Sequence, residues 1–171
     1  VVGGIGLIEN LDHIATLKGA QANDVLILVG DTKGHLGASA YARVILGLDG
    51  IAAGSAPPVD LAIEKRNAAF VRKLIADGLV NAVHDVSEGG VACAAVEIAL
   101  SSGHGVVLGG EWNAPKLFGE DQARYVVTTD AAATIPGAVR IGTTGGSTVA
   151  GVPLDTLRTA HEGFLPKLMN G

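Results

Sequence analysis

The sequence predicts an α+β fold, a mixed β-sheet with helices packed on it. Three observations carry this. Apolar β-like runs alternate with helical stretches at first, and strands then cluster toward the C-terminus. Hydrophobic residues make up 48% of the 171 residues and aromatics only 4%, so the core is to be built from Val, Ile, Leu and Ala. Glycine supplies 25 positions, about twice the usual ~7%, which implies many tight turns. The length fits one domain at roughly 150 residues each.

Each element follows from its local pattern. Residues 1–12 read as a linker or strand from a preceding domain: Val1-Val2-Gly3-Gly4-Ile5-Gly6 starts in mid-pattern with no signal peptide, as in a chain cut from a longer one. The continuous apolar run Val25 to Val29, bounded by Gly30-Asp31, predicts a buried strand. A glycine-rich turn over 30–39 leads into a helical run over 40–48, and 50–58 is a Gly/Ala/Ser/Pro loop. Asp60 is a candidate N-cap. Behind it Ile63, Phe70, Val71, Leu74 and Ile75 form one apolar stripe, with the charged residues mostly off it and Gly78 as the stop. Residues 79–83 read as a strand, and 91–100 as a helix apolar almost all round, hence buried. Strands are expected at 106–108 and 124–128, with 138–142 and 147–149 paired through Gly145-Gly146. The last helix places Leu154, Leu157, His161, Phe164 and Leu168 on one face, with Pro166 bending or shortening it.

Composition removes several functions. A net charge of −5 and a pI near 5.4 argue against a nucleic-acid surface. No apolar run approaches the ~18 residues of a membrane span, and the longest is broken by Glu97. With 17% charged residues and no G-x-y period the chain is neither disordered nor collagen-like. Its single Cys93 excludes an internal disulfide and reads as a buried, inert cytosolic thiol. No Walker A, dinucleotide or nucleophile-elbow motif is present, and the five histidines lack zinc-ligand spacing.

Two segments remain for chemistry. In Gly34-His35-Leu36-Gly37-Ala38-Ser39, glycines between a strand and a helix let amides face an anion, with Ser39 as a further donor. The competing reading is a tight turn capped by Ser39. In His84-Asp85-Val86-Ser87-Glu88-Gly89-Gly90, carboxylates leave a strand end and glycines open a buried helix. That suits Mg²⁺, which takes one or two carboxylates plus phosphate oxygens. The competing reading has Asp85 or Ser87 as an N-cap and the glycines for close packing. Glu97 reads as a paired core carboxylate and His161 as a packing histidine. Glu120 and Asp121, before a strand, read as a solvated turn or as groups reaching a neighbouring domain.

Taken in order, Val1 to Ile8, Gly30 to Ser39, Pro57-Pro58-Val59-Asp60-Leu61, His84 to Gly90, Leu117 to Tyr125 and Ile141 to Gly146 resemble the C-terminal part of the large subunit of phosphoribosylformylglycinamidine synthases. These belong to the aminoimidazole ribonucleotide synthetase superfamily. The resemblance covers nearly the whole chain. It implies an α/β/α layered C-terminal domain of a tandem ligase of purine biosynthesis, cytoplasmic and driven by phosphoryl transfer from ATP with Mg²⁺. Carried over by residue, it implies Asp85 as a metal ligand, with Ser87, Gly89 and Gly90 near phosphate. Gly34, Gly37 and Ser39 stand as further nucleotide- or phosphate-binding candidates. The implied partners are N-terminal ATP-binding domains of the same subunit, a separate glutaminase and a small accessory subunit, with neither nucleic acid nor membrane. The isolated domain is expected to be inactive. Selenophosphate synthetase, thiamine monophosphate kinase or a ligand-free interaction module are the alternatives. Two stretches, 105–116 and 130–137, are shorter than the family pattern.

Overall fold

A computed structural model describes residues 3–8, 10–11, 14–130 and 135–169. Positions 1, 2, 9 and 12 of the expected linker lie outside the described residues, as do 131–134 of the short 130–137 connection. Residues 3–8 form neither helix nor strand.

Seven strands form one sheet: β1 Val25–Val29, β2 Ala82–Asp85, β3 Val106–Leu108, β4 Tyr125–Thr129, β5 Val139–Thr144, β6 Thr148–Val149 and β7 Val152–Pro153. Their order is β2-β4-β1-β5-β3-β6-β7. Every pairing is antiparallel except β3 with β6, so the sheet is mixed, as the sequence predicts.

The period-2 alternation of β1 explains the layers. Leu26 and Leu28 point into one apolar cluster with Val91, Ala94, Ala95, Ile98 and Ala99 of α2 (Gly90–Ser102). Val25 and Ile27 point into the other, with Leu74 of α1 (Leu61–Ala76) and the flanking Phe70 and Ile75. Both faces of the central strand are therefore covered, which gives the α/β/α arrangement. Small alanines let α2 lie close to the sheet, and Val91, Ala95, Ile98 and Ala99 are fully buried.

Helix ends follow their sequence signals. The Asp60 carboxylate accepts from the Ala62 and Ile63 amides at 2.9 and 3.2 Å. At the other end of α1 the Gly78 N–H donates to Ile75 O and the Leu79 N–H to Leu74 O. This is a Schellman closure, with Gly78 at φ +66°. It also moves the next strand. Leu79 belongs to the helix terminus, so β2 starts at Ala82 and not at 79.

Further expectations change. The strands expected at 138–142 and 147–149 do not pair with each other: β3 lies between β5 and β6 and bonds to both. The helix over 40–48 shrinks to a π-helical turn, Tyr41–Ile45, in which only Ala42 is buried. Exposed β-branched Val44 and Ile45 give that segment no apolar face to dock. The last helix divides into α4 (Leu154–Glu162) and α5 (Phe164–Met169) at Gly163, while Pro166 sits harmlessly in the first turn of α5. His161 is exposed, so it is no packing histidine, and Cys93 is exposed as well. A short helix the pattern did not announce, α3 (Ala114–Phe118), is capped by the Asn113 side chain and has Pro115 in its first turn.

Candidate functional site

β1 and β2 each leave the sheet into a glycine-rich loop, 30–40 and 85–90. The segment 119–124 lies between the two loops and bonds to both. The Asp121 carboxylate accepts three successive amides of the first loop: Lys33 and Gly34 through Oδ2 at 3.0 and 2.8 Å, and His35 through Oδ1 at 3.2 Å. The Glu120 carboxylate joins both loops. Its Oε1 accepts the Ala40 N–H at 2.8 Å and the Gly89 N–H at 2.9 Å. These two acids thus fill an amide concavity of the kind that binds anions. Asp121 is buried, so the pair is not a solvated turn.

Arg124 holds this segment from beneath. Its guanidinium is fully buried. Nε donates to Asp121 O at 2.9 Å, one terminal nitrogen to Gly119 O at 2.5 Å and the other to Thr32 Oγ1 at 3.0 Å. Burial lowers the Arg124 pKa, while the charge of Asp121, 3.9 Å away, opposes that shift. A buried cation surrounded by fixed acceptors makes the 119–124 turn rigid.

The glycines permit this close meeting. A Cβ at Gly34 would lie 2.7 Å from Pro115 Cβ. At Gly90, where φ is +66°, a Cβ would lie 2.6 Å from Leu117 O and 2.7 Å from Gly119 O. Backbone here packs on backbone.

The sequence candidates are placed as follows. The Gly34 amide is engaged by Asp121, and Gly37 packs on the Ser55 backbone. Ser39 is fully buried; its hydroxyl donates to Leu36 O at 2.7 Å and accepts from Ala42 N at 3.1 Å. In this structure the first loop therefore turns its donors inward. The adjoining cleft of about 340 Å³ is lined by Asp31, Asp60, Asp121 and Lys33, with Asp60 and Asp121 already engaged by backbone amides.

The second loop differs. Asp85 ends β2 with its side chain 77% exposed, its Oδ1 3.7 Å from His84 Nδ1. Ser87 and Glu88 are exposed, and Glu88 pairs with Arg43. Neither Asp85 nor Ser87 caps α2; the N-cap is Gly89, at φ +78° and with no side-chain cap bond. Glu97 is paired, as expected, with its Oε2 2.5 Å from His84 Nε2, but its side chain is 40% exposed, so it is not a core carboxylate. Cys93 packs against Gly89. Its thiol pKa is raised, first by partial desolvation and then by Glu97, Glu120 and Glu88. Among the described residues no three His, Cys, Asp or Glu side chains converge on a metal-sized site. The donor set offered to a cation is one exposed carboxylate, which fits Mg²⁺ only when phosphate oxygens and water complete the shell.

Residues 21–154 match the model of the AIR synthase related protein, C-terminal domain. The chain belongs to this family. Its relatives include the phosphoribosylformylglycinamidine synthase subunit PurL of Novosphingobium aromaticivorans, 45% identical over 170 residues that cover 99% of this chain and 23% of the relative. PurL of Caulobacter vibrioides is 43% identical over 185 residues, covering 99% and 25%. The chain thus spans about a quarter of the length of the relatives it matches. The first alignment needs only 170 positions where the second needs 185. The short form of this domain is therefore shared with the Novosphingobium protein.

Solved structures share the fold. A Thermotoga maritima PurL complexed with FGAR superposes with a TM-score of 0.65 at 18% identity, covering 86% of this domain and 30% of that chain. The same enzyme complexed with ATP gives 0.65 at 16% identity, covering 86% and 27%. No helix of the described residues is long and apolar enough to cross a membrane.

Sequence reasoning marked the loops of this AIR synthase related domain and passed over Glu120, Asp121 and Arg124 as the parts that hold them. The available signal was the run of two acids and a basic residue directly before a strand, close to two glycine loops whose amides need acceptors.

Proposed function

We propose that this domain is the C-terminal part of the large subunit of a phosphoribosylformylglycinamidine synthase. That ligase converts formylglycinamide ribonucleotide, ATP and glutamine-derived ammonia to formylglycinamidine ribonucleotide, ADP and phosphate. ATP phosphorylates the amide oxygen of the substrate. Ammonia then adds to that carbon, and phosphate leaves with the oxygen. The observation that carries the reading is the 45% identity to a PurL subunit across essentially the whole domain. That PurL of Thermotoga maritima has been solved with FGAR and with ATP accords with it.

Within this reading the Asp85–Gly90 loop is the domain's contribution to a Mg-nucleotide site. Asp85 would hold Mg²⁺, which supplies charge neutralisation at the phosphates. Ser87 Oγ and the close-approach backbone of Gly89 and Gly90 would lie along the phosphate chain. Gly34, Gly37 and Ser39 serve behind this loop, as the packed base that Asp121 and Glu120 tie to it. The remaining domains of the subunit, a glutaminase and a small accessory subunit complete the enzyme.

Turnover is the test. The domain alone should convert no formylglycinamide ribonucleotide with ATP and ammonia, and the complete subunit carrying it should do so. Turnover by the domain alone, or none by the complete subunit with its partners, removes the reading.

A further inference from the structure

We propose that Glu120 is the positioning residue of the Asp85–Gly90 loop, which it holds through a single carboxylate oxygen. The inference rests on the Mg-nucleotide reading of that loop.

Within the loop the Gly90 N–H donates to Ser87 O at 3.1 Å and His84 Nδ1 lies 2.6 Å from Asp85 O, while the Gly89 N–H is held only from outside it. After Asp85 the β2–β4 ladder ends. Gly89 and Gly90 both adopt positive φ, which glycine enters without a Cβ clash, and no side chain caps α2. Two bonds from outside bracket Ser87 and Glu88. The Val86 N–H donates to Arg124 O at 2.9 Å, and the Gly89 N–H donates to Glu120 Oε1 at 2.9 Å. Both acceptors lie on the rigid 120–124 turn. The Glu120 backbone is itself fixed, because its N–H donates to His35 O at 2.9 Å and the carbonyls beside it receive Arg124.

The same oxygen takes the Ala40 N–H, so the first glycine loop is locked to the second through one atom. The Arg43–Glu88 pair runs parallel to this link. Both of its partners are well exposed, and exposed pairs contribute little. The bridge is therefore a property of Glu120. It needs an acceptor oxygen at the reach of a glutamyl side chain, and it does not need the charge. This separates positioning from electrostatics: Gln keeps reach and acceptor without the charge, whereas Asp keeps the charge and is one methylene too short.

The experiment measures Mg-ATP affinity and apo melting temperature in the complete subunit for wild type, Glu120→Gln, Glu120→Asp and Asp85→Ala. Loss of an outer-shell support typically costs about 10–100-fold in affinity. Glu120→Asp should fall in that range with little change in melting temperature, and Glu120→Gln should stay close to wild type. Wild-type affinity in Glu120→Asp overturns the inference, as does a melting-temperature loss without an affinity loss. Equal impairment of Gln and Asp overturns the reach argument. Asp85→Ala separates the two levels: if it binds Mg-ATP normally, the site reading itself falls. If it is impaired and Glu120→Asp is not, only the role of Glu120 falls. Hydrogen exchange in the wild-type subunit is an independent check, with the Gly89 and Ala40 amides expected to be slow and fast exchange at either contradicting the bridge.

Discussion

Asp121 Oδ2 lies 2.8 Å from the Gly34 amide nitrogen, and the same carboxylate also takes the amides of Lys33 and His35. A glycine loop that looks ready for phosphate is here closed by the protein's own anion. Removing that anion leaves three amides without their acceptor and takes from the buried Arg124 the carboxylate 3.9 Å away. Asp121→Ala should destabilise the domain by about 3 kcal/mol. Inorganic phosphate should occupy the emptied concavity, raising the melting temperature of Asp121→Ala and leaving that of the wild type unchanged. Equal phosphate responses in both proteins would show that the loop is not an anion nest.

Backbone conformation predicts opposite signs at two small residues. Ala38 sits in the first loop at φ +53°, in the left-handed region that costs a non-glycine residue about 1–2 kcal/mol. Ala38→Gly should stabilise the domain slightly, by about 0.5 kcal/mol, since added unfolded-state entropy offsets part of the relief. Gly90→Ala places a Cβ 2.6 Å from Leu117 O at φ +66° and should cost about 1–3 kcal/mol or more. Urea unfolding of both variants checks the pair.

Ile98 is fully buried in the α2 cluster. Ile98→Ala should cost about 2–5 kcal/mol through lost transfer energy and a cavity. It lies in the helix body, so in the complete subunit it should lower the melting temperature and spare Mg-nucleotide affinity below the transition. An equal loss of affinity would tie the site to global packing and not to the loop.

The Cys93 thiol carries the pH prediction. Desolvation and then Glu97, Glu120 and Glu88 raise its pKa above the ordinary thiol value. The folded state thus holds the thiol proton more tightly than the unfolded state does. Its stabilising contribution is complete below the unfolded thiol pKa and is lost as pH rises through the folded one. Alkylation rates against pH should show a midpoint above that of a free thiol, and Glu97→Gln should lower it. A midpoint at or below the free-thiol value would contradict this environment.

Much of this was legible in the sequence, for identifiable reasons. β1 announced itself because five consecutive apolar residues are buried on both faces. α1 did so because Asp60, an apolar stripe and Gly78 are all local signals. Both glycine loops were marked by composition. Glu120, Asp121 and Arg124 were not legible as their organisers, because the side-chain bonds they make to the two loops span 31 to 92 positions of sequence. The exposure of Cys93 and His161 was equally hidden. An apolar neighbourhood in sequence does not fix which face of a helix meets the sheet, and Cys93 lies on the outer side of α2 while Val91, Ala94 and Ala95 face inward.

Under the proposed function the Asp85–Gly90 loop carries this domain's share of a Mg-nucleotide site. Equilibrium titration of Mg-ATP into the complete subunit, wild type against Asp85→Ala, tests it most directly. An exposed carboxylate at a strand end bears little of the fold, so the apo melting temperature should stay within a degree or two while Mg-ATP affinity falls by about 10-fold or more. Unchanged affinity together with an unchanged melting temperature would take Asp85, and the loop with it, out of the site.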